Sequence, residues 1–170
     1  LDDAGSKKYP FSRSLLNRLS AAIDSGKKYP LNALFVVEAN PLYSMPDSKA
    51  VKKAFDKIPL VVSFSSFMDE TAQNADLILP NHTYLERYED VLPSTGLTKP
   101  VIGLSKPVVE PQFNTKHFGD VIILMAKALG RNLADAFPWD SYEKCIKETL
   151  GDKWKVLAEE GFWSDPNFRA

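Results

Sequence analysis

The sequence has very little of the chemistry that binds metals or forms disulfides. Its 170 residues include one cysteine, Cys145, and two histidines, His82 and His117. A single thiol excludes an intrachain disulfide, a CxxC redox pair and a thiolate metal cluster within this chain. The two histidines are far apart in sequence, so we expect no metal site made by this chain alone.

Strong charge of one sign is also missing, and so are long apolar runs. The net charge is −1, and lysine pairs are interspersed with acidic residues. This balance is not typical of a surface that binds nucleic acid or an anionic membrane. The apolar runs are far shorter than the roughly 20 residues that span a bilayer. We therefore expect no nucleic-acid partner and no direct membrane insertion. The chain begins at Leu1 without a methionine or a signal-peptide pattern, so we expect a piece of a longer protein.

Short apolar runs of strand length alternate with amphipathic patterns. The runs at 33–38, 60–64 and 76–80 are mainly apolar and do not alternate with polar residues, which is typical of buried parallel strands. Apolar residues at helical spacing predict helices around them. The predicted helices cover 12–25, 48–58, 114 or 115 to 129, 140–150 and 152–160, with one helical turn within 69–75. The pattern predicts an α/β fold, with a mostly parallel sheet covered on both faces and a C-terminal helical extension.

Capping and breaking residues predict where these elements begin and end. The predicted N-terminal caps are Asp47 for the helix at 48–58, Asn114 or Thr115 for the next helix, and Asp140, with Glu143 as a capping box, for the helix at 140–150. The glycines predicted to end helices are Gly26, Gly130, Gly151 and Gly161. Pro41 and Pro46 are expected to exclude regular structure after the first strand. The segment 88–113 is rich in proline and is predicted to be irregular, except for a strand within 99–105.

Polar side chains follow each predicted strand. Asn40 follows the first strand, Ser63 to Ser65 end the second, and His82 follows the third. In open parallel sheets, ligands bind beyond these carboxyl ends, and such side chains suit a purine edge, a ribose or a phosphate. Neither GxGxxG nor GxxxxGK[ST] is present, so no standard dinucleotide fingerprint or P-loop is predicted. The residues alone predict a nucleotide crevice.

Each of these residues also has a purely structural interpretation. Asn40 can be a turn residue, and the serines can be caps at helix entries. Glu86 and Arg87 can form an ordinary surface ion pair. His82 has no identifiable partner to orient it as a base, so it is predicted to be a loop histidine.

Three segments, in this order and spacing, resemble a known family. They are ALFVVEANPLYSMPDS at 33–48, LVVSFSSFMDETAQNADLILPNHTYLERYED at 60–90 and NTKHFGDVIILMAKALG at 114–130. They resemble part of the catalytic subunit of molybdopterin oxidoreductases, the family typified by dimethyl sulfoxide reductase, formate dehydrogenase and nitrate reductase. The LPNHTYLER and NTKH variants are most similar to the polysulfide, tetrathionate and quinone-reductase-like branch. The resemblance runs from about residue 31 to about residue 163.

The resemblance implies a Rossmann-like three-layer domain over residues 1–135, with 136–170 as a helical extension or linker. This domain would hold the guanosine end of a bis-molybdopterin guanine dinucleotide. The implied cofactor contacts are Asn40, Ser63, Ser65, Arg87, Asn114, His117 and Asp120. Many members have an aspartate that binds guanine where this chain has Ser65, which weakens that contact or shifts it to the backbone. No catalytic residue and no metal ligand are implied here.

The resemblance also describes the parent protein. It implies a molybdenum or tungsten oxidoreductase that transfers electrons to or from a small substrate in anaerobic respiration, while this piece alone is inactive. The Fe–S cluster and the metal ligand would lie in other segments of the parent. The implied partners are the remainder of the catalytic subunit, an iron–sulfur subunit and a membrane anchor, in the periplasm. Two alternatives stay open: a freestanding nucleotide-binding α/β module, and a metal-free scaffold subunit of a respiratory complex.

Overall fold

The chain forms two compact units, Leu1–Pro80 and Asn81–Ala170. The computed structural model describes residues 7, 8, 10, 16–26, 31–93 and 97–168. The first unit contains a parallel sheet, and the second contains an antiparallel sheet. Within the described residues, no helix has the length and apolar character needed to cross a membrane.

The first unit is built on three parallel strands in the order β1–β2–β3. They are β1 at Leu34–Val37, β2 at Val61–Phe64 and β3 at Leu77–Ile78. All four residues of the central β2 are buried. After β3, the N–H of Leu79 still donates to the carbonyl of Ser63 at 2.9 Å, and Pro80, which has no N–H, then ends the ladder. The predicted α/β fold with a parallel sheet is confirmed, with shorter strands than predicted.

Among the described residues, four helices accompany this sheet, and three of them confirm predictions. They are α1 at Leu19–Ser25, α2 at Pro41–Ser44, α3 at Ser48–Phe55 and α4 at Glu70–Gln73. A 3-10 turn at Leu16–Arg18 precedes α1. Gly26 ends α1 with φ +58°, and the predicted helical residues 12–15 lie outside the described residues. The Asp47 side chain caps α3 by accepting from the N–H of Ala50 at 2.9 Å. The single turn predicted within 69–75 is α4.

The prediction that Pro41 excludes regular structure was wrong. Pro41 is the first residue of α2, a position whose N–H has no partner within a helix and whose φ suits the proline ring. Leu42 of α2 packs with Val51 and Phe55 of α3 and with Val36 of β1 in the core of this unit. The short helix therefore fixes the path of the chain as it leaves β1.

The second unit contains three antiparallel strands in the order β4–β5–β6. They are β4 at Glu89–Val91, β5 at Val101–Ser105 and β6 at Phe162–Ser164. The strand predicted within 99–105 is confirmed as β5. The segment 88–113 is less irregular than predicted, because it also contains β4. The C-terminal segment is not only helical, because it supplies β6. Leu104, Ile146 and Leu157 form the core of this unit.

Four helices lie in the part of the second unit that the structure describes. They are α5 at Phe118–Leu129, α6 at Arg131–Ala136, α7 at Tyr142–Leu150 and α8 at Lys153–Glu160. The predicted stops are confirmed, since Gly130, Gly151 and Gly161 are the C-terminal caps of α5, α7 and α8. Helix α6 was not predicted. The domain boundary near residue 135 stays a prediction.

Two predicted caps of the second unit were wrong. Helix α5 is capped by His117 rather than by Asn114 or Thr115, because the helix begins only at Phe118. Helix α7 is capped by the Ser141 hydroxyl rather than by Asp140. The Asp140 carboxylate instead bonds to two lysine side chains, which lower its pKa to about 2.

Candidate functional site

Asn40 holds the end of β1 to α4. Its Oδ1 accepts from Thr71 Oγ1 at 2.7 Å and from Thr71 N at 3.3 Å, and its Nδ2 donates to Glu70 Oε2 at 2.6 Å. The Thr71 hydroxyl oxygen in turn accepts from the N–H of Leu42 at 3.2 Å. Nearby, Glu38 adopts φ +48°, which is uncommon for a residue other than glycine. Asn40 is thus more than a turn residue, because it fixes the exit from β1.

The serines that end β2 are connected to the start of α4. Ser63 is 1% exposed, and its hydroxyl oxygen lies 3.4 Å from the N–H of Ser65. The Ser65 hydroxyl donates to Asp69 Oδ2 at 2.8 Å and accepts from the N–H of Phe67 at 3.2 Å. Asp69 Oδ1 caps α4 by accepting from the N–H of Ala72 at 2.7 Å. Ser65 therefore positions the capping carboxylate.

The first turn of α4 joins the two strand ends. Asp69 is bonded to Ser65 after β2, while Glu70 and Thr71 are bonded to Asn40 after β1. The Glu70 side chain is exposed, and the hydrogen bond from Asn40 lowers the pKa of its carboxyl group. Sequence reasoning did not identify Asp69 or Glu70 as site residues. The available signal was the DETA stretch, in which an aspartate stands at the capping position of the predicted turn.

In the second unit, Arg87 is buried and fully oriented. Its side chain is 5% exposed. Its Nε and Nη2 donate to Glu89 Oε2 at 3.0 and 2.7 Å, and its Nη1 donates to the His82 carbonyl at 2.6 Å. The predicted alternative of a Glu86–Arg87 surface pair was wrong, because Glu86 accepts from two backbone N–H groups instead. His82 also has a side-chain partner, since its Nδ1 lies 2.7 Å from Thr115 Oγ1.

His117 and Tyr142 form a stacked pair at the start of α5. Their ring centroids are 4.5 Å apart. His117 is buried, which lowers its pKa, and its Nδ1 accepts from the N–H of Gly119 at 3.0 Å. The Tyr142 hydroxyl donates to Asp90 Oδ1 at 2.7 Å, and the Tyr142 N–H donates to Asp120 Oδ1 at 2.6 Å. Burial also raises the pKa of Tyr142. A neutral imidazole thus caps α5.

Three of the predicted site residues line one cavity in the second unit. This cavity, of about 300 Å³, is lined by Arg87, His117 and Asp120 among others. Asn114, the fourth predicted residue of this unit, is exposed in the loop before α5 and is not part of the lining. The remaining three predicted residues belong to the sheet edge of the first unit. The predictions therefore fall into two groups, one in each unit.

No metal centre is apparent in the part of the chain that the structure describes. No group of three or more His, Cys, Asp or Glu side chains there could hold a metal ion. The free thiol of Cys145 is half-buried, and burial raises its pKa.

A protein-family model described as molybdopterin oxidoreductase matches residues 11–128, which is well over half of the chain. The chain belongs to the molybdopterin oxidoreductase family. The resemblance inferred from the sequence is thereby confirmed, and the family implies a molybdopterin cofactor.

Members of this family from several bacteria are similar to the chain. The molybdopterin-binding-like subunit of menaquinone reductase from Nitratidesulfovibrio vulgaris is 41% identical over 128 residues, which cover 75% of this chain and 18% of that protein. The molybdopterin-containing subunit of thiosulfate reductase from Salmonella typhimurium is 31% identical over 156 residues, which cover 87% of this chain and 20% of that protein. The solved structure of acetylene hydratase from Pelobacter acetylenicus matches with a TM-score of 0.71 and 29% identity. The match covers 86% of this chain and 20% of acetylene hydratase. The chain spans about a fifth of the length of these relatives.

The polar side chains of the described residues fit the organic part of a molybdopterin cofactor. Glu70 presents an exposed carboxylate that Asn40 orients, and a carboxylate accepts hydrogen bonds from the N–H groups of a base. Arg87 supplies positive charge to the cavity of the second unit, although Glu89 already compensates it. The donor set of the described residues therefore suits binding and orientation of the organic part of the cofactor.

Proposed function

We propose that this chain is the part of a molybdopterin oxidoreductase subunit that holds the guanosine end of a bis-molybdopterin guanine dinucleotide. The observation that carries the proposal is the edge of the first unit's sheet, where the first turn of α4 bonds to Asn40 after β1 and to Ser65 after β2. Open parallel sheets bind nucleotides at this edge. When bound, the cofactor supplies the redox chemistry, and the protein orients it.

The contacts are proposed at the residues named from the sequence. Asn40, Ser63 and Ser65 would contact the guanosine, and the other proposed contacts are Arg87, Asn114, His117 and Asp120. Ser63 is buried within β2, so its contribution would come through Ser65, whose N–H lies 3.4 Å from the Ser63 hydroxyl oxygen. Arg87 would contact an anionic group of the cofactor, in competition with its present partner Glu89.

The parent protein is proposed to transfer electrons to or from a small substrate in anaerobic respiration. Relatives named thiosulfate reductase and menaquinone reductase support this class of reaction. The Fe–S cluster and the metal ligand would come from other segments of the parent. Its proposed partners are the remainder of the catalytic subunit, an iron–sulfur subunit and a membrane anchor, and its proposed location is the periplasm. This piece alone would be inactive.

Calorimetric titration of the 170-residue chain with GMP, GDP and AMP tests the proposal. We expect weak binding of GMP and GDP, weaker binding of AMP, and no molybdenum in the purified chain by elemental analysis. Equal binding of guanine and adenine nucleotides would contradict guanosine recognition. Tight retention of molybdenum by this chain would contradict the proposal that the metal ligand lies in other segments of the parent.

A second candidate is a metal-free scaffold subunit. It is favoured by one observation, namely that the relative at 41% identity carries the description molybdopterin-binding-like. The two candidates differ in the metal content of the purified parent protein. Stoichiometric molybdenum or tungsten supports the redox subunit, whereas a correctly folded parent without either metal supports the scaffold.

A further inference from the structure

We propose that Glu70 is the residue that selects guanine, through hydrogen bonds from the N1–H and the 2-amino group of the base. This inference rests on the proposed function, because it assigns the specificity of the same sheet edge. It moves base recognition from Ser65, the position suggested by the family resemblance, to the first residue of α4.

The Ser65 hydroxyl already donates one hydrogen bond and accepts another. It donates its only proton to Asp69 Oδ2 at 2.8 Å and accepts from the N–H of Phe67 at 3.2 Å. Asp69 is only partly exposed, and its two oxygens accept the bonds that form the start of α4, from Ser65 and from the N–H of Ala72 at 2.7 Å. Ser63 is 1% exposed. None of these three side chains presents a pair of acceptor oxygens to a base.

Glu70 differs from these three residues because its carboxylate is exposed. Its side chain is exposed, and Asn40 Nδ2 donates to its Oε2 at 2.6 Å. Asn40 is itself held by two hydrogen bonds from Thr71, so the carboxylate is anchored to the end of β1. The Asn40 bond and a bond from the Glu70 backbone N–H lower the pKa of the carboxyl group. The group is therefore ionised at neutral pH, and a carboxylate has about four lone-pair sites for further donors.

The chemistry of the bases explains why a carboxylate selects guanine. Guanine presents two adjacent donors, N1–H and the 2-amino group, that match the two oxygens of a carboxylate. Hypoxanthine presents only N1–H, and adenine presents an acceptor at N1, which a carboxylate repels. Phe67, in the loop that ends at Asp69, is 78% exposed and offers an aromatic face on which a purine can stack.

The test compares GMP, IMP and AMP binding to the 170-residue chain and to three variants by calorimetry. Wild type should bind in the order GMP, IMP, AMP. Glu70→Gln should lose about tenfold or more in GMP affinity with little change for AMP, because a charge-assisted pair is lost. The glutamine oxygen can still accept from Asn40, so circular dichroism should show an unchanged fold. Asp56→Asn, an exposed carboxylate at the end of α3, is the matched control and should bind like wild type.

The outcomes separate this inference from the proposed function. If wild type does not discriminate GMP from AMP, the proposed function fails and the role of Glu70 fails with it. If wild type prefers GMP and Glu70→Gln keeps that preference, the assignment to Glu70 is overturned while the proposed function stands. The third variant, Ser65→Ala, should keep the preference for GMP. Loss of the preference in Ser65→Ala alone would return base recognition to Ser65.

Discussion

Replacing Gly119 by alanine tests how tightly the start of α5 packs against Tyr142. A Cβ atom at position 119 would lie 2.6 Å from Tyr142 Cδ2 and 2.7 Å from its Cγ, well inside van der Waals contact. The ring is held in place by its stack on His117 and by its hydroxyl bond to Asp90. The clash therefore cannot be relieved by rotating a free side chain.

The sign of the Gly119→Ala effect depends on two opposing magnitudes. Alanine is favoured over glycine inside a helix by about 0.5–1 kcal/mol, which alone would stabilise α5. Overpacking by one carbon in a well-packed site costs about 1–3 kcal/mol. The overpacking dominates here because the contacts are with a pinned ring. We expect the second unit to lose about 1–2 kcal/mol of unfolding free energy.

Urea denaturation followed by tryptophan fluorescence measures this effect directly. All three tryptophans, at positions 139, 154 and 163, belong to the second unit, so the signal reports that unit. Asn132→Ala, at an exposed position of α6, is a control in which helix propensity rises without a clash. If Gly119→Ala raised the urea midpoint as Asn132→Ala does, the contact with the Tyr142 ring would be looser than the structure indicates, and the reasoning would be refuted.

Three further predictions concern hydrogen-bonded side chains. Burial lowers the pKa of His117 in the folded chain below its value in the unfolded chain. As the pH falls below about 6.5, the unfolded state therefore takes up a proton first. The unfolding free energy then falls by up to about 1.4 kcal/mol per pH unit. His117→Asn, which can still cap toward Gly119, should remove this loss between pH 7.5 and 5.5 in urea titrations; an unchanged slope would contradict it. Arg87→Lys should lower the stability of the second unit by about 2–3 kcal/mol, because lysine cannot reproduce the fork that bonds Glu89 and a carbonyl; a neutral effect on the fluorescence transition would count against it. Asn40→Ala should speed amide exchange in α4 about tenfold or more, since three hydrogen bonds to this helix are lost, and unchanged protection would show that other contacts hold α4.

The parallel half of the fold could be predicted because its signals are local. Apolar runs predict buried strands. The Asp47 side chain marks the start of α3, and the backbone freedom of Gly26 marks the end of α1. Of the antiparallel sheet, only the central strand β5 could be predicted in the same way. Its strands β4 and β6 have three residues each, and β5 pairs residue 101 with residue 164. Such long-range pairing leaves no periodic pattern in a short window of sequence.

The candidate site could be predicted only in part for a related reason. The strand ends gave Asn40 and Ser65, because parallel strands place their carboxyl ends at one edge. The orientation of Glu70 depends on Asn40, which lies 30 residues earlier in the chain, and the sequence alone shows only an acidic residue in a short turn. His117 was expected near a helix entry, but its role as the cap of α5 depends on where that helix begins. That start is fixed by a bond from the Phe118 N–H to the buried Asn81 side chain.

The central claim is that guanosine binds at the carboxyl edge of the parallel sheet, and backbone NMR of the labelled 170-residue chain with GMP tests it most directly. Saturable shift changes are expected for the amides of residues 38–43 and 63–71, which follow β1 and β2 and include the first turn of α4. No saturable change, or changes confined to the cavity around Arg87 and His117, would contradict the claim.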